Sequence, residues 1–179
     1  MAVTDRSVIN VPIGEIECGR APQILTTLLG SCVGFIVQDL KNQICALAHV
    51  VRPNGTGAGM GPGYFADRAA PTARDAAIRI GADPRQLMVR LAGGGAMFDA
   101  KLAAGNIGQL NVAALREVTH KLGMVFGGQL VGARDGGCIL AVDTVTGRAE
   151  VRSLREREFG DRGWRTLVDE MLQHPSRQS

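Results

Sequence analysis

The sequence predicts a single-domain, layered α+β sandwich, in which mixed or antiparallel β-sheets carry packed α-helices. Three observations lead there. Short apolar, partly β-branched runs dominate both ends of the chain, whereas two segments of helical period lie in the middle. Neighbouring runs are separated by short polar or glycine-bearing breaks suited to hairpins, which pair strands antiparallel. The 179 residues, 45% hydrophobic and 21% charged, are ordinary globular material for one domain and too few for two comfortable ones. That domain is expected to span 1–179, with a core over about 7–155 and a C-terminal helix and tail over 156–179.

An opening strand is expected near 7–16, and 24–28 reads as an extended segment leading into a Gly30-Ser31 turn. Residues 33–39 and 44–51 are short apolar runs, with Leu40, Lys41, Asn42 and Gln43 as a polar break between them. From Asn54 to Gly63 there are five glycines, at 55, 57, 59, 61 and 63. Their spacing fits neither a dinucleotide fingerprint nor a P-loop. A mobile lid over a nearby site and a tolerant surface loop are both open readings. Residues 67–80 suggest a helix in which Pro71 is acceptable in the first turn, with Gly81 at its C-terminal stop. A strand over 87–91 runs into Gly93-Gly94-Gly95, and consecutive glycines at a strand end imply close backbone approach to something. Asn106 can cap a helix through Leu122, with Leu110, Ala113, Ala114, Val118 and Leu122 as its apolar stripe. Strands follow over 124–132, 138–143 and 148–154, with turns at Asp135-Gly136-Gly137 and Thr146-Gly147. Trp164, Leu167, Val168, Met171 and Leu172 suggest a short terminal helix over 164–173.

The most informative local feature is Cys32 in Leu29-Gly30-Ser31-Cys32-Val33, followed seventeen residues later by His49. If Leu40 pairs with Gln43, cross-strand partners have numbers summing to 83. His49 then opposes Gly34, and Cys32 is the diagonal neighbour on the same face. A slip of one residue would send thiol and imidazole to opposite faces. Such a pair can act as nucleophile and base on a carbonyl, because a free thiol is mostly protonated near neutrality and an imidazole can take that proton during attack. Backbone N–H groups at Gly30 and Ser31 are candidates for stabilising an oxyanion. If 24–28 stays extended, Thr26 shares the pleat side of Leu28 and Cys32, where it could orient a substrate amide or the imidazole, while Thr27 points away. Two plainer readings of these residues stand: cysteine often only packs, and threonine is simply a good strand former. The other histidines are poorer candidates, His120 lying near a helix end and His174 in a polar tail beside Pro175.

Composition narrows the classes. The four cysteines (Cys18, Cys32, Cys45, Cys138) show no C-x-x-C spacing and read as reduced thiols, not a disulfide framework or a zinc site. No metal or cofactor is expected. The net charge of +3 comes from scattered arginines interleaved with acids, so nucleic acid is not favoured. No run of about twenty apolar residues indicates a membrane span, and the first ten residues do not resemble a secretory signal. A cytoplasmic protein is expected.

Several stretches together resemble the chemoreceptor glutamine deamidase (CheD) family: Thr26-Thr27-Leu28-Leu29-Gly30-Ser31-Cys32-Val33, Ala48-His49 with Pro53, Tyr64-Phe65-Ala66-Asp67, Gly94-Gly95-Ala96-Met97-Phe98, and Asn106-Ile107-Gly108 with Asn111. They occur in family order over roughly residues 12–155. The resemblance implies a cysteine-dependent hydrolase that converts particular glutamines of methyl-accepting chemotaxis receptors to glutamates, with Cys32 as nucleophile and His49 as base, then acid. It also implies Thr26, six residues before the cysteine, as a third catalytic position. Some members hydrolyse receptor methyl esters, and some bind a CheC-type phosphatase. The chain departs from the family pattern at Arg52, Leu110, Pro71 and the Cys138-Ile139-Leu140 segment, which bears on partner recognition. Two alternatives from other classes are a noncatalytic adaptor that docks on receptors, and a thiol redox or metal protein.

Overall fold

The computed structural model describes residues 6–95, 107–131, 137–154 and 164–166. Among these residues are two five-stranded sheets and two helices, an α+β sandwich in a single domain. The first sheet orders its strands β1 (Val8–Asn10), β3 (Ile24–Leu29), β8 (Cys138–Asp143), β9 (Ala149–Ser153) and β10 (Trp164–Thr166). The second orders them β2 (Ile16–Arg20), β5 (Ile44–Val50), β4 (Val33–Asp39), β6 (Met88–Gly93) and β7 (Val125–Val131). Helices α1 (Ala66–Arg79) and α2 (Ile107–Lys121) pack on the second sheet.

The second sheet is therefore the middle layer, and this explains its sequence. Every residue of β4 and β5 is buried, because both faces are covered, and such strands read as continuous apolar runs. One face (Phe35, Val37, Ala46, Ala48, Val50) meets the alanine-lined side of α1 (Ala66, Ala69, Ala70, Ala73, Ala77). The other (Ile36, Cys45, Leu47) meets Leu25, Leu29, Leu140 and Val142 of the first sheet. The β4–β5 hairpin has the expected register: Gly34 opposes His49 and Asp39 opposes Ile44, every pair summing to 83. Its turn places Gln43 at φ 55°, and the Asp39 carboxylate accepts from the Asn42 backbone N–H at 3.0 Å, the usual Asx device for closing such a bend.

Several expectations are corrected. The opening strand over 7–16 is two strands: at Gly14 (φ +75°) the chain turns, so that β1 joins the first sheet and β2 the second. Pro71 lies in the second turn of α1, not the first. It removes one intrahelical bond there, and the five buried alanines of that helix hold it in place. Of the expected stripe of α2, Ala114, Val118 and Leu122 pack on the core, whereas Leu110 and Ala113 are exposed and the fully buried residues are Gly108, Asn111, Leu115 and Thr119. Gly108 sets this rotation by packing directly on the Gly94 backbone, where a side chain would collide. Trp164–Thr166 is a strand paired with β9, not the start of a helix. The remainder of that expected helix, the Asn106 cap, most of the Asp135-Gly136-Gly137 turn and His174 lie outside the described residues.

Candidate active site

A cavity of about 470 Å³ opens between the two sheets, lined by Asn10–Ile13, Thr27–Cys32, His49, Gly137 and Leu154. Strand alternation puts His49 there: Cys45 and Leu47 face the first sheet, and His49 continues their side of β5. Its backbone is held from both ends, its N–H donating to the Glu15 carbonyl at 3.0 Å and its carbonyl accepting from Gly14 at 3.0 Å. Cys32 sits just before β4, half-buried against the same inter-sheet core.

The glycine run after β6 fixes the turn that carries the thiol. Gly94 donates to the Cys32 carbonyl at 2.8 Å and Gly95 to the Gly30 carbonyl at 3.1 Å. Gly93 has φ +93°, and a Cβ there would lie 2.7 Å from the Cys32 carbonyl oxygen. The close approach expected of these glycines is thus to the Cys32 turn itself. Gly30 and Ser31 line the cavity beside Cys32.

The imidazole has one side-chain partner among the described residues. His49 Nδ1 lies 2.8 Å from Thr27 Oγ1, and Thr27 also donates to the Val11 carbonyl at 2.8 Å. Thr26 is on the opposite face of β3, and its hydroxyl donates to the Leu140 carbonyl at 2.8 Å. The expected parity fails because the chain bends through Gly30-Ser31-Cys32, which breaks the alternation between β3 and Cys32. It is Thr27, with Leu25 and Leu29, that faces inward. Thr27 was the residue missed; the signal available was the adjacent threonine pair, whose inward member depends on a second sheet that local spacing does not reveal.

His49 Nε2 is buried and has no hydrogen-bond partner among the described residues, so the thiol and imidazole share a cavity without a formed hydrogen bond. Burial pushes the His49 pKa down to about 4, opposed by the Val11 carbonyl. Burial pushes the Cys32 thiol up. The resting pair is therefore a neutral thiol and a neutral imidazole, not an ion pair. Cys45 and Cys138 are buried, with the Cys138 thiol raised to about 11 by burial, and such thiols are inert packing groups. His120 is exposed on α2, away from the cavity. No group of three or more potential metal ligands occurs among the described residues.

The glycine-rich loop does not line the cavity. Gly61 and Gly63 instead press on the backbone of Gly14 and Glu15, where side chains would collide, and Gly63 donates to the Gly14 carbonyl at 2.8 Å. The loop buttresses the segment that supplies the Asn10–Ile13 wall. On the other side of β5, Asn111 of α2 donates to the Val51 carbonyl at 3.0 Å, pinning the strand two residues beyond the histidine.

Comparison with known proteins identifies the family. Residues 52–153 match the family model described as CheD chemotactic sensory transduction. The chain is 33% identical over 130 residues to a probable chemoreceptor glutamine deamidase CheD of Methanococcus vannielii, covering 72% of this chain and 84% of the relative. It is 33% identical over 153 residues to the protein of the same description from Desulforamulus reducens, covering 82% and 90%. A chemoreceptor glutamine deamidase CheD from Thermotoga maritima is 35% identical over 115 residues, covering 64% and 72%. The family-model match begins three residues after His49 and so includes neither Cys32 nor His49. With more than half its length matched by the family model, the chain belongs to the CheD family.

Proposed function

We propose that this protein is a cysteine-dependent protein-glutamine deamidase of methyl-accepting chemotaxis receptors. The observation that carries the reading is that Cys32 and His49 line one cavity, with an unpartnered imidazole nitrogen, Nε2, available to a thiol proton. The relatives, described as chemoreceptor glutamine deamidases, supply the substrate class.

In this mechanism the Cys32 sulfur attacks the glutamine side-chain carbonyl carbon while its proton passes to His49 Nε2. The oxyanion that forms is met by backbone N–H groups of the Gly30-Ser31 turn. His49 then returns its proton to the amide nitrogen, which leaves as ammonia, and a thioester remains. Water attacks the thioester with His49 again as base, releasing glutamate and restoring the thiol. Neutral resting groups suit this sequence, because the proton moves only as the carbon–sulfur bond forms. No cofactor takes part. The same acyl chemistry extends to a receptor methyl ester, with methanol leaving in place of ammonia.

Among the described residues no helix is long and apolar enough to cross a membrane. The reading places the protein in the cytoplasm, at the cytoplasmic part of the receptors, where a CheC-type phosphatase is a further partner and nucleic acid is not. One observation favours a second reading, a noncatalytic receptor adaptor: no hydrogen bond joins Cys32 to His49. Catalytic hydrogen bonds often tighten only with substrate bound, which keeps the enzyme first.

The deciding experiment is peptide mapping of a receptor cytoplasmic domain after incubation with wild type and with Cys32→Ala. Glutamate at particular glutamine positions with wild type alone supports the deamidase. Binding by both proteins with conversion by neither supports the adaptor.

A further inference from the structure

We infer that Ile13 and Leu28 form an apolar rim at the mouth of the cavity that holds Cys32 and His49. This rim seats a receptor segment whose target glutamine is flanked by uncharged, apolar side chains. The inference rests on the deamidase reading for its occupant, and it gives the two residues a part in substrate affinity, not in the chemical step.

Single exposed apolar side chains are ordinary on a protein surface and need no explanation. These two differ in their place. Ile13 is 64% exposed and Leu28 58% exposed, yet both line the cavity that holds Cys32 and His49. A residue that is at once exposed and cavity-lining stands at the opening. Leu28 is the outward residue of β3, between inward Thr27 and Leu29, and its cross-strand partner is half-buried Ile139. Ile13 and exposed Pro12 form the bridge by which the chain passes from one sheet to the other. That bridge is anchored at both ends. The Val11 N–H donates to the Thr26 carbonyl of β3 at 2.8 Å, and the Gly14 N–H donates to the His49 carbonyl of β5 at 3.0 Å. Ile13 is thus presented to solvent on fixed backbone, which lowers the ordering cost of binding a partner there.

What crosses the rim is set by the reaction. A glutamine side chain can reach Cys32 only with its neighbours lying over the mouth, so the occupant is the receptor segment that carries the glutamine. Its chemistry follows from the lining. Among the described residues the cavity is lined by no Asp, Glu, Lys or Arg. A charged neighbour would therefore lose water there without meeting an opposite charge. An apolar neighbour would cover Ile13 or Leu28 and be favoured by the area removed from water. The rim selects among glutamines by what stands beside them, while the amide itself is met deeper, at Cys32 and His49. Val125, equally exposed at 61%, lies away from the cavity and has no part in this.

The test compares wild type, Ile13→Asp, Leu28→Asp and Val125→Lys on a receptor cytoplasmic domain. Three quantities are read: kcat and KM for deamidation, binding by the same proteins carrying Cys32→Ala, and the rate of Cys32 alkylation by iodoacetamide. Each rim variant should raise KM and weaken binding roughly 10- to 100-fold, with kcat little changed. Alkylation should match wild type, since a small reagent reaches the thiol without a docked segment. Val125→Lys should match wild type throughout. With the wild-type enzyme, replacing apolar residues beside a converted glutamine by glutamate should raise KM by a similar factor, and this arm needs no variant of the enzyme. Unchanged KM and binding in both rim variants, an equal loss in Val125→Lys, or alkylation slowed in parallel with deamidation overturns the inference. So does a glutamine with charged neighbours that is converted as well as one with apolar neighbours. If wild type deamidates no receptor while binding still falls in the rim variants, the deamidase reading fails and the docking rim stands. Deamidation that ignores the rim variants is the reverse case.

Discussion

Acidification should destabilise the protein through His49, and the size of the effect follows from its burial. The imidazole is 4% exposed and burial holds its pKa near 4, against an ordinary value of 6.5. The gap of about 2.5 pH units, at about 1.36 kcal/mol per unit, amounts to about 3 kcal/mol in all. The sign is fixed by which state binds the proton more tightly. Here the unfolded chain does, so the contribution is fully present above about pH 6.5, shrinks as pH falls, and is gone below about pH 4. Between about pH 7 and pH 5 the loss assigned to His49 is about 2 kcal/mol. Urea unfolding of wild type and His49→Gln across this window isolates it, because carboxylates common to both proteins cancel in the difference. Wild type should lose about 2 kcal/mol more than the variant between those two pH values. A difference that stays flat with pH would refute the reasoning, since it would mean the ring titrates alike in the folded and unfolded chain.

Three further outcomes are expected. Iodoacetamide labelling of Cys32 should accelerate about tenfold per pH unit above about pH 7, as for a neutral thiol, while buried Cys45 and Cys138 stay protected; a rate already level below pH 7 would indicate a standing thiolate–imidazolium pair. Gly93→Ala should cost roughly 1–3 kcal/mol in thermal or chemical unfolding and impair deamidation, because its Cβ meets the Cys32 carbonyl at 2.7 Å in a left-handed backbone; wild-type stability would show that the nucleophile turn yields freely. Asn111→Ala should lose roughly 1–2 kcal/mol, measured by urea unfolding, through the unpaired Val51 carbonyl; no loss would mean water replaces the amide.

The hairpin that faces Gly34 with His49 was legible because two apolar runs flank a short polar break, and a buried strand tolerates no slip in register. The helices were legible as elements, and the face of α2 in part: Ala114, Val118 and Leu122 meet the core, but Leu110 and Ala113 do not, because Gly108 packs against a distant glycine backbone. The inward threonine was not legible for a related reason. Which of Thr26 and Thr27 meets the imidazole depends on how β3 of one sheet lies over β5 of the other, a contact between sheets that no local spacing encodes. Trp164 and its neighbours carry a helical period, yet the edge of the first sheet recruits Trp164–Thr166 as a strand, tertiary pairing overriding local preference. The glycine-rich loop was open between lid and surface; it is neither over the cavity nor idle, since its small residues allow it to press against Gly14 and Glu15.

The central claim is that a glutamine side chain becomes an acyl group on Cys32. Hydroxylamine trapping tests it most directly: a receptor cytoplasmic domain is incubated with the enzyme and hydroxylamine, and its peptides are mapped by mass. A thioester partitions between water and hydroxylamine, so wild type should leave glutamyl hydroxamate beside glutamate at the same positions, and Cys32→Ala should leave neither. Glutamate formed without hydroxamate at any hydroxylamine concentration, or conversion persisting in Cys32→Ala, would contradict a Cys32 acyl intermediate.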